Sequence, residues 1–171
     1  QSILMLDKIL EIDKSLMVFL NKSISNSFFD FVMPIITSKD FLTAIGVALI
    51  IFLGFFCGKR GKITLLVLLF AAGMSDAICA QIIKPWVGRI RPSHEFIDYI
   101  NLLVKKGGKW SFPSNHAANS FAFATVLAYF YERKKLILFI SASVIAYSRV
   151  YVGVHYPLDI LFGALTGYAL S

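Results

Sequence analysis

The sequence predicts an all-α membrane protein, and three observations carry that prediction. Residues 41–57 (FLTAIGVALIIFLGFFC) hold no charge, residues 63–83 hold only Asp76, and 57% of the 171 residues are hydrophobic against 16% charged. Soluble domains carry about 25% charged residues, so the apolar runs read as helices that cross a bilayer.

Taken in order, the chain opens on a segment, 1–36, whose apolar residues are interrupted by Asp7, Lys8, Glu11, Asp13, Lys14, Asn21, Lys22, Asn26 and Asp30. Residues 3–20 fit an amphipathic helix lying in the membrane interface; a sixth, protein-shielded span reaching toward Ile36 is the alternative. No cleavable signal peptide is expected in residues 1–20, which lack a basic leader followed by an unbroken apolar stretch. At about 1.5 Å per residue, residues 41–57 nearly cross a hydrocarbon layer of about 30 Å. The basic turn 58–62 (GKRGK) separates them from the second span, 63–83. A polar, Gly-containing connection, 84–112, follows, and then three apolar helices at 117–131, 136–154 and 156–171, joined by very short links. The expectation is five spans in one bundle domain over residues 1–171, with 1–36 as an N-terminal helical segment and 41–171 as the catalytic bundle.

Alternation of faces makes topology an argument about chemistry. The helix ending near Ile83 delivers 84–115 to one face, and the next two helices make a round trip, so Lys84, Arg91, His116, Arg149 and His155 share a side. The opposite face carries two tight basic loops, Lys59, Arg60, Lys62 and Arg133, Lys134, Lys135, as cytoplasmic loops do. A multi-pass protein of a bacterial cytoplasmic membrane, its site facing the periplasm or exterior, is the expectation.

Three clusters of polar residues sit at the ends of apolar helices: Lys84-x6-Arg91-Pro92, Pro113-Ser114-Asn115-His116, and Ser148-Arg149-x5-His155-x3-Asp159. Ionisable groups at membrane depth are costly unless paired or wet, which marks them as functional candidates. Three cations on one face call for an anion, and a phosphate accepts charge-assisted bonds from Lys84, Arg91 and Arg149 together. Ser114 and Asn115 open the next helix, where free backbone N–H groups and the positive dipole end favour an oxyanion. His155 and Asp159, four apart, stack on one helical face, so the carboxylate orients the imidazole as a nucleophile. His116 then protonates the leaving alkoxide and activates the attacking water. The scheme needs no metal and no cofactor, and the chain has no carboxylate cluster of the kind that holds magnesium beside a phosphate. The net charge of +7 suits an anionic lipid surface or a phosphate-bearing substrate. Cys57 and Cys79 lie inside apolar runs without zinc-type spacing.

Together these clusters, spanning residues 84–159, resemble the three-part signature of the type 2 phosphatidic acid phosphatase superfamily. The resemblance implies a six-helix membrane bundle, metal-independent hydrolysis of lipid phosphates or diphosphates through a phosphohistidine, and kinship with vanadium haloperoxidases. Asn115 stands where the family's second element usually has glycine. Bacterial lipid A 1-phosphatases and undecaprenyl diphosphate phosphatases look closest in size, so lipid A 1-phosphate is the expected substrate. Undecaprenyl diphosphate or phosphatidylglycerol phosphate is the alternative, and no nucleic-acid partner is expected. An anionic-lipid or phosphate transporter using the same basic pocket is the competing class.

Other polar residues receive plainer readings. Arg89 is read as a snorkelling interfacial cation, His94 as solvated, and Asp76 as a structural partner for Lys84 or for another helix. Lys105, Lys106 and Lys109 form a surface charge run that could also steer a large anionic headgroup. Trp86, Trp110, Tyr151 and Tyr156 are accounted for by membrane anchoring.

Overall fold

A computed structural model describes residues 2–171. Its helices are α1 (Ser2–Val18), α2 (Ser27–Ile36), α3 (Lys39–Ile51), α4 (Gly58–Ala77), the short α5 (Lys84–Val87) and α6 (Pro92–Glu95), then α7 (Asn115–Phe130), α8 (Lys135–Tyr151) and α9 (Pro157–Ala169). Wide, π-type turns extend α3 through Phe52–Phe56 and join α4 to α5 through Ile78–Ile83, which makes continuous rods Lys39–Phe56 and Gly58–Val87. Of the five expected spans, these two are long and apolar enough to cross a membrane. α7, α8 and α9 have 16, 17 and 13 residues, about 24, 26 and 20 Å of rise. Exposed Phe55, Phe56, Leu66 and Phe70 coat the two long rods, as a lipid-facing surface would require.

The centre of the bundle is built from small residues. A Cβ added to Gly163 would lie 2.5 Å from the Ser114 carbonyl oxygen, and one added to Gly167 would lie 2.0 Å from that of Ala118. α9 therefore rests directly on the backbone of α7, where Ala117, Ala118 and Ala122 are fully buried. Such small-residue seams let helix backbones approach without a side-chain layer between them. At one end of the bundle Arg60, in the first turn of α4, donates to the Phe130 carbonyl at the end of α7. Arg60 of one basic segment thus reaches the end of the helix that leads into the other.

α1 packs against the opposite end through polar residues rather than floating beside the bundle. Asn21 is fully buried; its amide donates to the carbonyls of Asn101 at 2.9 Å and Tyr151 at 2.6 Å, and its Oδ1 accepts from the Asn101 N–H at 2.7 Å. Lys14 pairs with Glu95 at 3.0 Å. The residues that broke the apolar pattern of 1–36 are in part the residues that dock it.

Candidate active site

The connection 84–112 places two arginines by a strand-like device. Arg91 N–H donates to the Lys109 carbonyl at 3.1 Å and Ser111 N–H to the Arg89 carbonyl at 2.8 Å, around an isolated antiparallel bridge between Ile90 and Trp110. In extended backbone alternate residues point the same way, so Arg89 and Arg91 share one face. Arg91 Nε is held by the Trp110 carbonyl at 3.0 Å, which leaves its terminal nitrogens for a ligand. Lys84, at the end of the α4 rod, donates to the Pro113 carbonyl beside Ser114.

Ser114 caps α7 and is stitched to the third cluster: its N–H donates to the Asp159 carbonyl at 2.9 Å. Its hydroxyl is buried and finds no hydrogen-bond partner among the described residues, and the same holds for Arg149 Nε. Buried polar groups are nearly always satisfied, so these two unspent groups are open to a polar ligand. Arg149 is otherwise held by the hydroxyl of Thr37, a buried residue at the end of α2. Thr37 was not singled out in the sequence, because a threonine after an apolar helix carries no distinguishing signal.

His155 is not on a helix, contrary to the spacing argument. It lies in the turn between α8 and α9, with its N–H donating to the Arg149 carbonyl at 3.2 Å. Gly153 makes that turn at φ +87°, and a Cβ there would meet the Asn101 carbonyl oxygen at 3.0 Å, so glycine is required. Asp159 occupies the first turn of α9, where one carboxylate oxygen accepts the Tyr156 N–H at 2.9 Å and faces His155 Nδ1 at 3.3 Å. The pair expected from a helical i,i+4 face thus forms through a helix N-terminus that the carboxylate caps. Burial is the chief reason that the His155 imidazole is held well below its usual range, and the charges of Arg91, Arg149, Lys84 and His116 act in the same direction. The groups that act on this imidazole come from all three clusters.

Two readings need correction. Arg89 is not a snorkelling cation: its side chain is 14% exposed, donates to Asp159 Oδ1 at 2.9 Å and Asp13 Oδ2 at 2.6 Å, and stacks 3.8 Å above the Tyr156 ring. Its partners are 70 and 76 positions away, which no local pattern reveals. Tyr156 is likewise a buried element of this network, donating to Glu95 at 3.0 Å, rather than a membrane anchor. The Asn115 side chain donates to Asp76 at 2.6 Å, and its backbone N–H stands at the start of α7. Asp76 is accordingly an interhelix contact and pairs with amides rather than with Lys84. His94 is exposed near the Gly107 carbonyl, Lys105, Lys106 and Lys109 are exposed, and Trp86 is 85% exposed.

With the geometry in place, comparisons with known proteins converge. The family model described as PAP2 superfamily matches residues 63–171. The chain is 32% identical to a protein named lipid A 4'-phosphatase of Bacteroides thetaiotaomicron, over 95% of this chain and 75% of that protein. It is 31% identical to one of the same name from Porphyromonas gingivalis, over 95% of this chain and 71% of that one. The crystal structure of Aquifex aeolicus LpxE superposes with a TM-score of 0.75 at 30% identity, covering 91% of this chain and 90% of that one.

Proposed function

This chain belongs to the PAP2 superfamily and is a phosphatase, and from that premise we propose that it removes a phosphate from lipid A without a metal, through a phosphohistidine at His155. The observation that carries the site assignment is the pair of buried, unpartnered groups, Ser114 Oγ and Arg149 Nε, beside a fully buried imidazole ringed by cations. Lys84, Arg91, Arg149, Ser114 and the backbone N–H of Asn115 receive the phosphoryl oxygens. They supply the positive charge that a metal ion supplies in other phosphatases.

The steps follow from the atoms available. Asp159 faces Nδ1 of His155, which leaves the Nε2 lone pair for phosphorus. As the N–P bond forms and the bond to the leaving oxygen breaks, His116 gives that oxygen its proton. His116 then takes a proton from water, whose oxygen attacks phosphorus; the N–P bond breaks and inorganic phosphate leaves. Asp159 holds the imidazole and balances its positive charge throughout.

The 4' position is the first reading of the substrate, because two relatives that align with 95% of the chain carry that name. The 1 position, expected from the sequence, is the second. The chain sits in the bacterial cytoplasmic membrane with its site toward the periplasm, α1 lying in the interface; the contact of Arg60 in one basic segment with the end of the helix that leads into the other supports this orientation. Purified protein incubated in EDTA with bis-phosphorylated lipid A tests the reading. One equivalent of phosphate should be released, and fragmentation of the product locates the ring that lost it. No phosphate released from lipid A defeats the substrate assignment, and activity that requires added metal defeats the mechanism.

A further inference from the structure

A groove of about 530 Å³ runs between α3, α4, α7 and α8, with His116 in its wall. From Asn115 to Leu127, both in that wall, it follows α7 for about 18 Å. Leu49, Leu127 and Leu138 make its far end apolar, while Asp76, Asn115 and Asn119 stand beside His116. The groove thus has the polarity of an amphiphile, headgroup at the imidazole and chain along the leucines.

Its polar end is specific in kind. Asn115 Nδ2 donates to Asp76 Oδ1 at 2.6 Å and Asn119 Nδ2 reaches the same oxygen at 3.5 Å. Both amides thereby turn their NH2 groups inward on Asp76. On these three residues what remains is acceptors: Asn115 Oδ1 and Asn119 Oδ1 are buried and have no partner among the described residues, and Asp76 has a second carboxylate oxygen, while Lys39 in the same wall brings a cation. Buried acceptors without partners favour a ligand that brings donors, and disfavour one that brings none.

We propose that Asp76, Asn115 and Asn119 form the leaving-group subsite, reading hydroxyl and amide N–H donors on the headgroup whose oxygen His116 protonates. The ligand class is an acylated, hydroxylated sugar rather than a diacylglycerol, which offers no such donors, or an isoprenyl phosphate, which sets negative charge and acceptors against Asp76. The inference rests on the assignment of His116 as proton donor, since that places the leaving group on this side of the phosphorus. It also accounts for Asn115: its side chain orients Asp76, a task glycine cannot perform.

The test compares kcat/KM of the full chain, in detergent, for bis-phosphorylated lipid A, phosphatidylglycerophosphate and phosphatidic acid. Asp76→Asn keeps an acceptor for Asn115 but replaces the outward oxygen by a donor, and Asn119→Leu removes the other acceptor at similar size. Each should lower the ratio of lipid A to phosphatidic acid hydrolysis at least fivefold. A smaller fall overturns the subsite, whether the two activities persist or decline together. If the wild-type chain leaves lipid A intact, the substrate reading fails separately. The ratio of phosphatidylglycerophosphate, which carries a glycerol hydroxyl, to phosphatidic acid then decides the subsite by the same criterion.

Discussion

Arg89 grips Asp159 at 2.9 Å with one terminal nitrogen while its other nitrogen holds Asp13 of α1 at 2.6 Å. Asp159 is fully buried, and Asp13 also accepts the Leu158 N–H at 2.9 Å. The carboxylate that orients His155 is therefore itself positioned by an arginine anchored in the N-terminal helix. Removing one partner of a buried ion pair costs about 3–5 kcal/mol. Arg89→Ala should lower kcat roughly 10- to 100-fold and the melting temperature by several degrees, on the order of outer-shell losses elsewhere. Arg89→Lys, a point charge that cannot fork to both carboxylates, should recover part of each. Wild-type turnover in Arg89→Ala, measured by phosphate release, would remove Arg89 from the positioning network.

His116 should matter in proportion to how badly the leaving group needs a proton. General-acid catalysis contributes about 10²–10⁴-fold, so His116→Ala should lose at least a hundredfold on an alkyl phosphate. On p-nitrophenyl phosphate, whose leaving phenolate is stable unprotonated, the loss in the first step should be much smaller. His155→Ala should lose both activities. Equal losses for both substrates in His116→Ala, seen in a burst of nitrophenol, argue against proton donation.

Arg149 presents Nε without a partner among the described residues and its terminal nitrogen to Thr37. Charge gathers on the equatorial oxygens as phosphorus is transferred, so Arg149→Ala should depress kcat more than it raises KM. An unchanged kcat with a raised KM would mean that Arg149 only binds.

The His155 imidazole, depressed chiefly by burial and further by Arg91 and Arg149, makes the fold sensitive to acid. Below about pH 6.5, the ordinary histidine value, the unfolded chain binds a proton that folded His155 refuses. Stability then falls as pH falls, by at most about 1.4 kcal/mol per unit from this residue. Between pH 7.5 and 5.5 the melting temperature of the wild type should drop more than that of His155→Gln. A parallel pH dependence in the two proteins would show that His155 is not the group responsible.

Helical glycine normally weakens a helix by about 1 kcal/mol relative to alanine, yet Gly167→Ala should be destabilising here. The added Cβ would fall 2.0 Å from the Ala118 carbonyl oxygen, and backbone atoms cannot swing aside. Gly163→Ala, 2.5 Å from the Ser114 carbonyl oxygen, should in addition disturb the Ser114–Asp159 stitch and lower activity. Gly73→Ala, which meets nothing within 4 Å, is the control and should be neutral or stabilising. Thermal unfolding in detergent separates the three.

The clusters at 84–92, 113–116 and 148–159 were legible because charge at the end of an apolar run is energetically conspicuous. Other relationships were not legible, for different reasons. His155 and Asp159 were paired from their spacing, but the chain makes the contact with a glycine turn and a capped helix start, which spacing alone does not distinguish from a helical face. Arg89 looked like any interfacial cation, since its two carboxylates come from α1 and α9. α8 and α9 fell short of the spans drawn from hydropathy, because a sliding reading of apolar residues continues through the turn that joins them.

By itself the sequence determined the all-helical class, the family and the chemical types at the proposed phosphate site, because hydropathy and residue identity act locally. Tertiary structure alone decided which carboxylate holds which cation, how Thr37 and Asp13 join the site, and which acceptors remain unpaired beside His116. Those choices depend on backbones brought into contact at Gly163 and Gly167 and on hydrogen-bond angles between helices far apart in the chain, and no one-dimensional pattern encodes such geometry.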